Sequence, residues 1–288
     1  MWTVSSYGVD QMFCRRSILT SVGILLSGPA LTKRGGRDRS QLPRFGGWIA
    51  SEAKAYSPGP TFADNFNSFA SSKWFYNSFD EGGDALWTND PSLTPLVYNY
   101  TGGSLHLALL KTPPGHGISR RFISGIMDTW NAPNHFGQQY GYFEVVVAVN
   151  RCVGLVYECN VLSPYNWPPS IRICRIWTDA DNVIHADQFV DGHDAMLATT
   201  DSTHGFDASQ EHSYGLNWTA STIELYRDRA LVGRWANPGG AYTNGDPMYT
   251  KMHCNANWGP TATPVIYPAK LPAYAHVRAY NVWPTKPF

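Results

Sequence analysis

The chain has 288 residues, 43% of them apolar and only 15% charged, with 26 glycines, 20 prolines and 14% aromatics. That length supports one large domain with a substantial core and excludes two full ones, and the turn-rich, aromatic-rich composition favours many short strands over helices. A formal net charge of zero removes any global attraction to nucleic acid or to an anionic membrane, so neither is an expected partner and any electrostatic selectivity must be local.

In chain order, residues 1–31 read as an export signal. Cys14-Arg15-Arg16-Ser17-Ile18-Leu19 sets twin arginines before an apolar run too short to span a bilayer, the pattern of a twin-arginine leader, with Met12 as an alternative start. A secreted or periplasmic location follows as an expectation. Residues 32–60, rich in Arg, Gly, Ser and Pro, read as a linker, and 61–288 as the folded domain. Strands are predicted over 103–109, where Leu alternates with smaller or polar residues, and over 140–149, apolar enough to be covered on both faces. A hairpin is predicted with arms at 222–226 and 231–235, turning at Arg227-Asp228-Arg229 without the usual glycine. Residues 275–280 form a closing strand. No three-turn helix and no internal repeat are evident, so the expected architecture is all-β, an antiparallel two-sheet sandwich, monomeric. Cys152, Cys159, Cys174 and Cys254 lack zinc-type spacing; two disulfides in any of three pairings are open to them, with buried free thiols the simpler expectation.

Several blocks in order carry a resemblance. Thr61-Phe62-Ala63-Asp64-Asn65-Phe66 with Trp74, Ser124-Gly125-Ile126-Met127-Asp128-Thr129 with Tyr140-Gly141-Tyr142-Phe143-Glu144-Val145, His212-Ser213-Tyr214-Gly215-Leu216-Asn217-Trp218-Thr219, and His276-Val277-Arg278-Ala279-Tyr280 resemble glycoside hydrolase family 16, which includes laminarinases and lichenases. The resemblance implies a β-jelly-roll, concanavalin A-like fold and a β-glucan-binding cleft. The family's W-P-x-E-x-D-x-x-E strand uses a β-bulge to turn three carboxylates into that cleft, the first as nucleophile and the last as acid/base, about 5 Å apart.

In this chain the matching stretch is W-P-P-S-I-R-I-C-R, and the nucleophile, assisting-acid and acid/base positions fall on Ser170, Arg172 and Arg175. Serine has no partner in the sequence to ionise it, and an arginine stays protonated, so neither residue type replaces a carboxylate. Loss of hydrolysis is therefore expected. Where the family has G-L-W-P-A-F-W, this chain has Gly154-Leu155-Val156-Tyr157-Glu158-Cys159-Asn160, which removes two cleft tryptophans and adds one acid. Pairing of 155–162 with 170–177 sets Glu158 near Cys174, so an ion pair with Arg172 or Arg175 is expected; the rival reading makes Glu158, Asp179 or Asp187 a relocated catalytic acid.

Trp130, Trp167 and Trp258 are candidate sugar-stacking residues, with Trp177 more ordinary, and His185 falls where the family often carries a cleft histidine. The expected partner is a polysaccharide: β-glucan by resemblance, or an anionic glycan if two arginines leave the cleft positive. A jelly roll with no sugar affinity is the third reading. No cofactor is implied. The acidic stretches 179–182 and 187–194 raise structural calcium without matching an EF-hand loop, and acidic turns need no metal.

Overall fold

The computed structural model describes residues 58–78, 84–165, 169–191, 196–199, 207–257 and 270–288. The expected leader, most of the linker, Trp167, Trp258 and residues 192–194 lie outside the described residues. In chain order the elements are β1 (Phe62–Asp64), β2 (Phe75–Tyr76), β3 (Ala85–Trp87), the single-turn helix α1 (Thr94–Val97), β4 (Tyr98–Thr101), β5 (Ser104–Lys111), β6 (Phe122–Ser124) and β7 (Ile126–Asp128). There follow β8 (Gly141–Val149), β9 (Leu155–Leu162), β10 (Ser170–Thr178), β11 (Ile184–Asp191) and β12 (Met196–Thr199). The last are β13 (His212–Trp218), β14 (Thr222–Arg227), β15 (Ala230–Ala236), β16 (Tyr249–Ala256) and β17 (Ala273–Trp283).

Among the described residues these strands form two sheets. One has ten strands, in the order β15-β14-β13-β8-β17-β5-β6-β3 with β1 on β17 and β4 on β5; the other has seven, in the order β12-β11-β10-β9-β16-β7-β2. Their ladders are antiparallel apart from the β3/β6 pair. The fold is the expected all-β jelly-roll sandwich.

The core lies between the sheets and is built by strand alternation. Leu105, Leu107, Val145, Val147, Ala275 and Val277 enter it from the ten-stranded sheet; Tyr157, Cys159, Val161, Ile171, Ile176 and Met252 enter from the other. β8 sits between β13 and β17; its residues 141–145 are buried on both faces, as the apolar run predicts, whereas Val146 and Ala148 are only half-buried. All four described cysteines are buried free thiols, which leaves the disulfide alternative without a pair.

The β14/β15 hairpin closes through two residues, Asp228 and Arg229, at φ 48° and 64°. That left-handed pair is what a tight hairpin demands and what glycine or asparagine ordinarily supplies. Here the Asp228 carboxylate supports it, accepting from the Ser213 amide at 3.0 Å and meeting His212 Nδ1 at 2.7 Å. Among the described residues no helix is long and apolar enough to cross a membrane.

Candidate functional site

The face of the seven-stranded sheet turned away from the core carries the candidate site. Along β10 the register shifts between Arg172 and Cys174 against β9, so Ile173 and Cys174 both turn into the core. This bulge is why Ser170, Arg172, Arg175 and Trp177 share the outward face although 172 and 175 are three residues apart. Cross-strand register then sets the outward residues in rows: Lys251, Asn160, Arg172 and Phe189 in one, His253, Glu158, Arg175 and Asp187 in the next.

Glu158 is therefore level with Arg175, one step from the expected Cys174, which pairs with Cys159. Its ion pair nevertheless runs diagonally: Arg172 Nη1 donates to Glu158 Oε1 at 2.7 Å. Arg175 turns to its other neighbour and holds Asp187 through two bonds, Nε to Oδ1 at 3.1 Å and Nη2 to Oδ2 at 2.6 Å. Both guanidinium groups lie against the ring of Phe189, Arg172 at 4.4 Å and Arg175 at 4.5 Å, and Arg175 also lies 5.1 Å from the Trp177 ring.

These charges are nearly closed off from water. The Glu158 side chain is 0% exposed and that of Arg172 15%; Asp187 and Arg175 are at 6% and 13%. Burial alone would raise the Glu158 carboxyl, but the neighbouring His253 imidazole, the Arg172 charge and the amide of Asn160, which donates to Oε2 at 3.1 Å, hold it down at about 2. His253 Nε2 is 3.5 Å from the same oxygen, and its ring packs edge-on against Trp87 at 4.7 Å. For Asp187 burial pushes the carboxyl upward against the opposing pull of Arg175. The surplus of positive charge expected of Arg172 and Arg175 is thus cancelled pair by pair.

Ser170 is 3% exposed, and its backbone is clamped by Tyr242, whose hydroxyl accepts from Ser170 N–H at 3.2 Å and donates to Ser170 C=O at 3.0 Å. His185 stacks on Trp177, ring centres 4.8 Å apart and planes 8° apart, and its Nε2 is 2.7 Å from Asp179. The Asp179 carboxylate also accepts from the amides of Asp181 and Val183, so it closes a turn, and among the described residues no three His, Cys, Asp or Glu side chains are grouped to hold a metal. Asp187 and Asp179 are each committed to a cation or ring partner.

Trp130, just beyond β7, heads an aromatic cluster at one end of this face. Its ring lies 5.9 Å from Tyr165 and 6.3 Å from Tyr249, and Tyr165 is 61% exposed. Tyr165, Tyr249, His253, Phe189 and the role of Asp187 escaped the sequence reading. The signal for some was present: Tyr249, Lys251, His253 and Asn255 alternate through Y-T-K-M-H-C-N-A as a half-buried strand should, and Phe189 is two residues from Asp187. Nothing in the sequence pointed to Tyr165.

No family model matches this sequence. The chain is 26% identical over 212 residues to the endo-1,3-1,4-beta-glycanase ExsH of Rhizobium meliloti (strain 1021), a match covering 66% of this chain and 44% of that protein, so it spans less than half the length of this curated relative. Among solved structures it is similar to SCLam, a non-specific endo-beta-1,3(4)-glucanase from glycoside hydrolase family 16, with a TM-score of 0.66 at 18% identity over 79% of this chain and 95% of that one. The laminarinase of Rhodothermus marinus aligns with a TM-score of 0.64 at 18% identity, over 78% and 96% of the two chains. These structural likenesses show a shared β-jelly-roll fold, the one on which family-16 glucanases are built.

Proposed function

We propose that this chain is a family-16-type domain that binds β-glucan on the outward face of its seven-stranded sheet without hydrolysing it. The observation that carries this reading is the pairing at the centre of that face: the positions the resemblance assigns to three catalytic carboxylates hold Ser170, Arg172 and Arg175, and the two acids beside them are locked to guanidinium groups. A retaining glycosidase needs one carboxylate free to attack and another free to give and retake a proton. Glu158, fully buried and held at about 2, supplies no proton near neutrality and reaches no substrate. Asp187, chelated by Arg175, fares no better as a nucleophile.

Binding is supported by the Trp130, Tyr165 and Tyr249 cluster, whose flat apolar rings suit the C–H faces of sugars. The solved glucanase SCLam has been crystallised as a variant holding a β-1,3-linked glucose oligosaccharide at its active site, and the curated relative is named for β-1,3-1,4 linkages, so neutral mixed-linkage glucan is the ligand class chosen. Cancellation of the arginine charge disfavours the anionic alternative at this centre. Export through residues 1–31 and action as a monomer belong to the same reading.

The test pairs two measurements on laminarin, lichenan and carrageenan: reducing-sugar release and retardation in an affinity gel. The expected result is no release from any of the three and retardation by laminarin or lichenan that disappears in Trp130→Ala. Sugar release by the unmodified protein would overturn the reading and return attention to Glu158, Asp179 and Asp187. Absence of retardation would favour a jelly roll that serves structure or a protein partner.

A further inference from the structure

The outer face of the other sheet carries a separate cluster. His106 of β5 and His276 of β17 are direct partners across the ladder. Their chain neighbours Leu105, Leu107, Ala275 and Val277 enter the core, so alternation sends both imidazoles to the opposite side. The ring centres are 4.5 Å apart with planes at 89°. Tyr274 stands beside both, its ring centre 6.0 Å from His106 and 5.8 Å from His276, and Asn150 reaches in from the end of β8.

Two hydrogen-bond chains fix which ring nitrogen carries a lone pair. Asn150 Oδ1 accepts from the Tyr274 amide at 3.0 Å, so the amide nitrogen is the end facing His276, and Nδ2 donates to His276 Nε2 at 3.2 Å. His276 Nε2 is therefore a lone-pair nitrogen. The Ser104 hydroxyl donates to the Thr101 carbonyl at 3.1 Å, so its oxygen accepts from His106 Nε2 at 3.0 Å, which leaves the His106 lone pair on Nδ1. Burial lowers the pKa of both rings, and for His276 the neighbouring His106 adds to the effect.

We propose that His106 and His276 together bind one borderline divalent transition-metal ion, of the class of Cu(II), Ni(II) or Zn(II), on the outer face of the ten-stranded sheet. Metal–nitrogen bonds of about 2.0–2.1 Å place the centres of two imidazoles on one ion about 4.5–5 Å apart, for donor angles between a right angle and tetrahedral. The rings already stand at that separation, and two imidazoles on one ion need not be coplanar. The Asn150 amide leaves His276 Nε2 as the ion arrives. Among the described residues no third His, Cys, Asp or Glu is grouped with the two imidazoles, so the site stays open to water, and copper is the preferred member of the series. An ion that binds the folded ladder and not the open chain staples β5 to β17 and stabilises the fold. The site lies on a different sheet from the proposed glucan face and does not depend on it.

The experiment titrates the full chain with Cu(II) alone in a non-coordinating buffer and follows it by electron paramagnetic resonance. The expected result is one bound ion per chain with nitrogen couplings from two imidazoles. His106→Gln and His276→Gln should each weaken it by roughly tenfold or more, while His116→Gln, in the loop that follows β5, leaves it unchanged. Absence of binding, binding that survives both substitutions, or a signal from a single imidazole overturns the proposal. Should either variant fail to fold, the imidazole count on the unmodified protein decides by itself.

Discussion

Two ion-pair systems on the outward faces of the two sheets use the same residue types to different ends. On the seven-stranded sheet Arg172–Glu158 and Arg175–Asp187 are sunk beneath neighbouring side chains, with exposures of 15% and 0% in the first pair and 13% and 6% in the second. On the ten-stranded sheet Arg234 donates through Nε to Glu224 at 2.7 Å; the arginine is 61% exposed, and Glu224, itself buried, also accepts from the Tyr226 hydroxyl at 2.6 Å and the Asn217 amide at 2.9 Å, so it stays hydrogen-bonded without the arginine. The first system takes charge out of water and must satisfy it internally; the second leaves one partner solvated and loses little if it opens. Geometry alike in distance thus differs in consequence because of burial.

The sharpest way to break this contrast is to remove one buried partner. Arg172→Ala leaves the Glu158 carboxylate buried with its main cation gone, and a loss of about 3–5 kcal/mol in denaturant unfolding is expected. Arg172→Asp should be worse still, because it sets a second carboxylate beside the first. A loss below about 1 kcal/mol would show that the pair is not a buried one in solution.

A pH series sharpens it further. The Glu158 carboxyl is lowered from 4.5 to about 2 on folding, so its contribution is fully present above 4.5 and is lost as pH falls through 2. The stability difference between the unmodified protein and Glu158→Gln should hold steady from pH 7 down to about 5 and shrink below that. A difference that vanished already near pH 6 would contradict the depressed value. The smallest effect is expected on the other sheet, where Arg234→Ala should cost only ~0.2–1 kcal/mol and less at high salt.

Much of this was legible along the chain. Strand patterning announced β5, β14, β15 and β17, a continuous apolar run announced β8, and the order of short motifs announced the jelly roll, because residue period and turn chemistry are local properties of sequence. The substitution of Ser170, Arg172 and Arg175 for acids could also be read directly. The Trp130 loop stood out by composition, but its companions Tyr165 and Tyr249 come from segments more than 30 and 110 residues away and meet it only in space.

What the sequence determined by itself was the inventory: a strand whose three key positions hold no carboxylate, an added glutamate on the strand before it, and two histidines far apart in the chain. Tertiary structure decided the pairing. A bulge at 173–174 chose which residues of β10 face outward, register brought Asp187 to Arg175 and left Arg172 to reach diagonally for Glu158, and the β5/β17 ladder set His106 beside His276. Which cation meets which anion depends on register between strands, and register is fixed by burying whole sheet faces together, a constraint no single segment carries.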